Sequence, residues 1–421
     1  MSETDLIIIG AGPGGYRAAE YAAKQGLKVV IFEDAEVGGT CLNVGCIPTK
    51  TYVHSATFAE ARQRMTQVIP QLRAGVESIL SHPNITLVRQ KAAFGTTPLL
   101  IEAVGRVPVI IATGSETKWL PIKGCDDPRV VDSTALLTLD TLPKRLTIIG
   151  AGVIGMEFAS IFHRFGSEVT VIEYLKECLP ALDSDIAKRL RKYMEKQGIT
   201  FKMKTAVDDV AALDADVILM ATGRKPRTEG LNLASLGVTL APNGAIPVDD
   251  HFQVTHQPSS ITPHPSLYAI GDVNGRQMLA HAAEMQAVRA VNHILGRHDH
   301  IRFDVMPAAI FTTPEAACVG PSEDQLKAAA TPYECRKSFW RANGKALAMG
   351  ESEGMLKLFV TPPSDGQAGG LILGCHAYGA HAADIVQEVS VLMCKHTTIH
   401  ELADMIYIHP TLSELLKSAV E

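Results

Sequence analysis

Asp5-Leu-Ile-Ile-Ile-Gly10-Ala-Gly12-Pro-Gly-Gly15 is an apolar run of strand length that breaks into a glycine-rich turn. A helical stretch follows, then a second apolar run, Lys28-Val-Val-Ile-Phe-Glu33, ending in an acid. The same series returns 140 positions later: Leu146-Thr-Ile-Ile-Gly150-Ala-Gly152-Val-Ile-Gly155, then Glu168-Val-Thr-Val-Ile-Glu173. Each copy reads strand, Gly-x-Gly-x-x-Gly, helix, strand, with the acid 18 residues after the third glycine. A helix N-terminus presents unpaired N–H groups and partial positive charge, and glycines let a pyrophosphate approach them. An acid ending the second strand accepts hydrogen bonds from an adenosine ribose and repels a 2′-phosphate. Two such units predict two bound dinucleotides. Glu173 is followed by Tyr174-Leu-Lys-Glu177, which contains no arginine, so the second site favours NAD over NADP. The plainer alternative is two ordinary βαβ units with glycine-rich turns.

Other segments extend the pattern outward. Val107-Pro-Val-Ile-Ile-Ala-Thr-Gly114 and Val217-Ile-Leu-Met-Ala-Thr-Gly223 are apolar strands running into Ala-Thr-Gly, one in each half. Leu267-Tyr-Ala-Ile-Gly-Asp272 is a further strand, ending in an acid able to bind polyol hydroxyls. The chain has 421 residues, enough for two to four domains. Its 46% apolar and 20% charged content argues against disorder as the main state. The net charge of −6, with no Lys/Arg block longer than two residues, argues against a nucleic-acid partner. No apolar stretch is long enough to span a membrane, and the first residues lack a signal-peptide pattern. A cytoplasmic location is the expectation.

In a cytoplasmic chain the eight cysteines do not read as a disulfide framework. Only two are close together, in Gly38-Gly-Thr-Cys41-Leu-Asn-Val-Gly-Cys46-Ile-Pro-Thr-Lys50. Five residues of regular helix rise about 7.5 Å, whereas a disulfide needs its Cα atoms within about 4.4–6.8 Å. Bridging Cys41 to Cys46 therefore requires an irregular backbone, which Gly38, Gly39 and Gly45 permit. Labile bridges of this kind are redox-active. The alternative is two free thiols in a glycine-rich loop. Lys50, four residues beyond Cys46, could favour a thiolate or an electron-rich ring.

These motifs together resemble the class I pyridine-nucleotide disulfide oxidoreductases over essentially the whole chain. Beyond the cysteine segment and the two glycine turns, the likeness includes Met278-Leu-Ala-His-Ala-Ala-Glu284, Phe311-Thr-Thr-Pro-Glu315 and His409-Pro-Thr-Leu-Ser-Glu414. The resemblance implies an α/β fold with two Rossmann-like dinucleotide-binding domains and a C-terminal α+β dimerisation domain. An FAD domain at 1–118 and 245–302 would be interrupted by an NAD domain at 119–244 and followed by an interface domain at 303–421. FAD would be held by Gly10, Gly12, Gly15, Glu33, Thr40, Lys50, Gly114, Asp272 and Ala280. NAD would be held by Gly150, Gly152, Gly155, Glu157, Glu173 and Gly223, and Lys50 would pair with Glu157.

The implied activity is oxidation of protein-bound dihydrolipoamide with NAD⁺ as acceptor. The catalytic set would be Cys41, Cys46, Lys50, His409 and Glu414. Reduction of another small disulfide or of a metal ion is the alternative. From spacing alone, His409 reads as a histidine capping a terminal helix. The resemblance instead makes His409–Glu414 a dyad that serves the cysteines of a second subunit, in a homodimer. Implied partners are a lipoyl-bearing acyltransferase of a 2-oxo acid dehydrogenase complex or a lipoylated carrier protein. His293, His298 and His300 read as a solvated group, and no metal is expected. Three departures from the family stand out. The segment from Lys50 to Ala112 looks too short for a long helix pair and β-ribbon, Phe201 to Asp216 too short for a three-stranded meander, and Ala287 replaces a customary glycine.

Overall fold

The computed structural model describes residues 4–103, 105–255, 266–363 and 369–421. The parts of the expected segments 1–118, 245–302 and 303–421 that fall at 1–3, 104, 256–265 and 364–368 lie outside the described residues. The chain forms two compact units, Met1–Lys118 with Ser133–Thr138 and Gly223–Ile301, and Trp119–Asp132 with Leu139–Thr222 and Arg302–Glu421.

In the first unit, β1 (Leu6–Ile9), β2 (Val29–Phe32), β3 (Ile85–Val88) and β4 (Val109–Ile111) join Leu267–Ala269 in one sheet. Its order is Leu267–Ala269, β4, β1, β2, β3, with every pairing parallel. Ile8 faces Ile31 on one side and Ile110 on the other. All four residues of β1 are buried, as expected of a parallel strand covered on both faces.

The second unit repeats the plan in Val130–Val131, Val217–Met220, Arg145–Ile149, Glu168–Glu173 and Thr200–Met203, again all parallel and in that spatial order. In each sheet the order reverses at the strand carrying the glycine turn. The carboxyl end of the strand at such a switch point is where doubly wound sheets take their ligands. The second unit also holds an antiparallel sheet of Ala308–Ile310, Ala316–Val319, Ile372–Gly379, Gly354–Val360 and Glu334–Phe339. The helix Ala382–Cys394 buries Ile385, Val386, Val389 and Met393 in the same core.

The unit boundaries follow a strand pairing that the segment limits 119–244 did not include. Ser115–Thr117 pairs antiparallel with Arg224–Pro226, so Gly223 and the residues after it fold with the first sheet. Within the second unit, Lys357 is buried between Asp183 and Glu323, its Nζ 2.8 Å from Asp183 Oδ1 and 2.5 Å from Glu323 Oε2. Asp183 also accepts the N–H groups of Asp185 and Ile186 and so caps the helix Ser184–Gln197. A buried cation is tolerable only with such partners.

The segment from Lys50 to Ala112 corrects an expectation. It holds a 23-residue helix, α4 (Phe58–Leu80), capped by the Thr57 hydroxyl accepting from the Glu60 N–H. The economy falls later, between Val88 and Val109, where the only described element is the short helix Pro98–Ala103. Between Met203 and Val217 the described chain makes one 3-10 turn, Val210–Ala212, and no strands. That agrees with the missing meander.

Candidate redox and nucleotide site

Both glycine turns owe their residues to backbone contact. Gly10 has φ +100°, and a Cβ there would lie 2.5 Å from the Ala112 carbonyl oxygen; Gly150 has φ +106° and the same 2.5 Å relation to Ala221. A Cβ on Gly15 would lie 1.8 Å from the Gly10 carbonyl oxygen, and one on Gly155 would lie 2.0 Å from that of Gly150. Helices α1 (Pro13–Lys24) and Val153–Phe165 start directly after these turns, with Gly12 and Gly152 as their caps. No side chain occupies either cap, so the first-turn N–H groups remain available to an anion.

The closing acids hold their own turns. Glu33 Oε2 accepts the N–H of Ala11 at 2.7 Å and its Oε1 accepts that of Ala35 at 2.9 Å. Glu173 does the same for Ala151 at 2.6 Å and Leu175 at 2.8 Å. Each carboxylate therefore pins its own turn, keeping a lone pair on each oxygen for a hydroxyl.

The cysteine segment folds as two helices, α2 (Gly39–Val44) and α3 (Cys46–Val53), separated only by Gly45. This is an irregular backbone of the kind that bridging Cys41 to Cys46 requires. A Cβ on Gly45 would sit 2.8 Å from the Thr40 carbonyl oxygen, so the two helices could not meet this closely with a larger residue. The segment packs on the first glycine turn: a Cβ on Gly39 would come within 2.7 Å of Gly12 Cα. Both cysteines are thiols, Cys41 half-buried and Cys46 exposed at the start of α3. The Cys41 thiol is held far above its ordinary pKa, first by its hydrogen bond with Cys46 and then by burial, while Lys50 pulls the other way. Lys50 thus lies within electrostatic reach of the pair. Tyr16, which sequence reading passed over, is there too. Its hydroxyl donates to Glu284 Oε1 at 3.4 Å, and burial, Glu284 and Cys41 push its pKa up to about 12.

Elsewhere in the first unit, Asp272 accepts a hydrogen bond of 2.5 Å from the Ser115 hydroxyl, and burial raises its pKa. Arg224 Nε donates to the same hydroxyl oxygen at 2.7 Å. Gln286 Oε1 accepts from the Gly271 N–H and from Asn274 Nδ2, both at 2.8 Å, leaving Gln286 Nε2 buried with no partner among the described residues. Ala280 opens the 15-residue helix Ala280–Ile294, in which Ala287 is fully buried. Among the described residues, a Cβ on Gly114 would meet nothing within 4 Å. A glycine turn for a pyrophosphate and a half-buried acid for polyol hydroxyls fit a flavin dinucleotide.

In the second unit, Glu157 is buried and its Oε1 accepts the Phe311 N–H at 2.9 Å. Gly223, assigned on sequence to the second nucleotide, belongs to the first unit. His409 Nδ1 lies 3.0 Å from Glu414 Oε1, and Glu414 Oε2 accepts the Thr411 N–H at 2.9 Å. That N–H and then His409 hold the Glu414 carboxyl below its ordinary pKa. With the carboxylate on Nδ1, the neutral imidazole carries its proton there and presents Nε2 as a base. His409 is 79% exposed, beside the fully exposed Ile406 and the exposed Ile408. His293 stacks on His251 with centroids 4.3 Å apart, and its Nδ1 lies 3.0 Å from the Tyr268 hydroxyl. Among the described residues no group of three His, Cys, Asp or Glu could hold a metal, and no helix is long and apolar enough to cross a membrane.

Two dinucleotide turns with a dithiol built on one of them describe an oxidoreductase that couples thiols to a nicotinamide. Sequence comparison agrees. The pyridine nucleotide-disulphide oxidoreductase family matches residues 4–287, and that family's dimerisation domain matches residues 306–420. The chain belongs to the pyridine nucleotide-disulphide oxidoreductase family, and its cofactors are FAD and NAD(H).

It is 35% identical to the mitochondrial dihydrolipoyl dehydrogenase of Pisum sativum, over 99% of this chain and 91% of that protein. It is 34% identical to dihydrolipoyl dehydrogenase 3 of Pseudomonas putida, over 100% and 98%. Among solved structures, the HOCl-induced flavoprotein disulfide reductase RclA from Escherichia coli superposes with a TM-score of 0.88 at 30% identity, covering 99% of each chain. The Pisum alignment spans 467 positions against 421 residues here, so the difference in length is internal to the chain.

Proposed function

We propose that the protein is a homodimer that oxidises protein-bound dihydrolipoamide to lipoamide with NAD⁺ as final acceptor. Its partner would be the lipoyl-bearing acyltransferase of a 2-oxo acid dehydrogenase complex or a lipoylated carrier protein. FAD is assigned to the first unit, at Gly10, Gly12, Gly15, Glu33, Thr40, Lys50, Gly114, Asp272 and Ala280. NAD is assigned to the second unit, at Gly150, Gly152, Gly155, Glu157 and Glu173. The observation that carries the reading is the seating of both thiols in a segment packed on the first glycine turn, Cys41 half-buried and Cys46 exposed at the head of α3. Cys41 is also hard to ionise, because it is hydrogen-bonded to Cys46 and half-buried.

The residues then divide the work as follows. His409 Nε2, with Glu414 on Nδ1, takes the proton of one substrate thiol, and the resulting thiolate attacks Cys41 Sγ of the Cys41–Cys46 disulfide. The S–S bond breaks, a substrate–Cys41 bond forms, and Cys46 leaves as a thiolate at the head of α3. The second substrate thiolate attacks the substrate sulfur of that mixed disulfide, closing lipoamide and releasing Cys41, which recovers a proton. Net, two substrate thiols are oxidised and one protein disulfide is reduced. Bound FAD and NAD⁺ supply the two-electron acceptor that restores the disulfide. The His409–Glu414 dyad would serve the cysteines of a second copy of the chain, which the exposed Ile406 and Ile408 favour as an apolar contact.

The decisive measurement is turnover of dihydrolipoamide with NAD⁺, compared with NADP⁺ and with Cys41→Ser, Cys46→Ser and His409→Gln. Wild-type turnover with NAD⁺ is expected, with at least a roughly 10³-fold loss in either cysteine variant. A protein inert towards dihydrolipoamide but active with NADH and another disulfide or Cu(II) would refute the reading. That outcome would support the second reading, an NAD(P)H-dependent reductase of another small disulfide or a metal ion. It is favoured by the likeness to RclA, which has also been solved as a Cu(II) complex.

A further inference from the structure

The cysteine segment is gripped from α4, an element outside the two glycine turns and the dyad. Asn43 lies between the two cysteines. Its Nδ2 donates to the carbonyls of Val37 at 2.9 Å and Gly39 at 3.0 Å, tying α2 back onto its own entry turn. Its Oδ1 accepts from Arg73 of α4 twice, from Nε at 3.0 Å and from Nη2 at 2.8 Å. The remaining Arg73 nitrogen, Nη1, lies 3.5 Å from Glu36, one residue before Val37. Arg89 holds the other side of that turn, donating to the Ala35 carbonyl at 3.0 Å.

A carboxamide can present oxygen or nitrogen to either side with little difference in shape. Two guanidinium donors on one face settle the choice, because only the oxygen can accept them. The amide N–H groups are thereby aimed at the turn carbonyls. We infer that Arg73 is a positioning residue for the Cys41/Cys46 couple, acting through Asn43. The inference rests on the proposed cycling of that pair between dithiol and disulfide.

The direction of the effect follows from chain entropy. Holding α2 against its entry turn keeps the Cys41 sulfur near Cys46 in the reduced state, so closing the bond costs less conformational freedom. Loosening the grip favours the dithiol. In a glutathione buffer the balanced exchange is the Cys41–Cys46 disulfide plus two glutathione thiols giving two protein thiols plus glutathione disulfide.

The test is the position of that equilibrium in the FAD-loaded protein, read by alkylation and mass measurement of Cys41 and Cys46. Arg73→Gln is expected to shift it towards the dithiol about tenfold, an upward change of about 30 mV for a two-electron couple. Asn43→Asp keeps an acceptor for Arg73 but loses the donor to Val37 and Gly39, so a shift of similar size is expected. Arg73→Lys, with one donor group in place of the fork, should recover only part of the wild-type value. Melting temperature and flavin content are measured beside these. An unchanged equilibrium in Arg73→Gln, even with a lowered melting temperature, would make Arg73 merely structural and overturn the inference. An unchanged equilibrium in Asn43→Asp would overturn the route through Asn43. A wild-type protein with no reversible two-electron couple would instead sink the proposed function.

Discussion

The two glycine turns are built alike and covered differently. Each has a first glycine at φ near +100°, a third glycine pressed on the carbonyl of the first, and a glutamate accepting two backbone N–H groups. What differs is the surroundings. The first turn is overlaid by the cysteine segment, with Gly39 against Gly12, whereas among the described residues a Cβ on Gly152 would meet no heavy atom within 4 Å. The covered turn suits a cofactor that stays beside the dithiol, and the open one suits a nucleotide that exchanges at each cycle. One backbone device therefore stands in two settings, distinguished by what packs on it.

The largest test of that comparison is Gly15→Ala beside Gly155→Ala. Neither carbonyl can move 1 Å without breaking its turn, so each variant should cost more than about 3 kcal/mol. Gly15→Ala is expected to purify without flavin. Gly155→Ala should keep its flavin but lose NAD-dependent turnover. Equal loss of flavin from both would mean that the turns do not act separately.

Next come Glu33→Ala and Glu173→Ala, each removing two charge-assisted hydrogen bonds for about 2 kcal/mol in thermal unfolding. The loss should be greater for Glu173, which is buried where Glu33 is half-buried. Glu173→Ala should also narrow the preference for NAD⁺ over NADP⁺, since a carboxylate repels a 2′-phosphate. An unchanged cofactor ratio would reduce Glu173 to pinning its turn.

The smallest effect on stability belongs to Gly152→Ala, within about 0.5 kcal/mol, because the new methyl group enters open space. Its KM for NAD⁺ should nonetheless rise, since that space is where a pyrophosphate must approach the backbone. If KM stays put, the nucleotide does not use this turn.

Much of the site was legible in the residues. The glycines, the closing acids and the cysteine spacing are local features, dictated by sterics within a few residues, and the irregular backbone at Gly45 follows from the reach of a disulfide. The helix α4 was misjudged because the shortness of Lys50 to Ala112 gives no sign of where residues are missing. Asn43 reads as an unremarkable polar residue, and Arg73 lies 30 positions from it. Ser115 and Asp272 are 157 positions apart. Neither pair leaves a mark in periodicity or spacing.

The sequence by itself determined two parallel sheets, their glycine turns and the closeness of Cys41 to Cys46, because each rests on short-range backbone geometry. Only the tertiary structure decided that the cysteine segment covers the first turn and leaves the Cys41 thiol hard to ionise. It also decided that Arg73 orients the Asn43 amide and that Gly223 folds with the first sheet. Those depend on which distant residues meet, and burial and hydrogen-bond partners are set by that meeting.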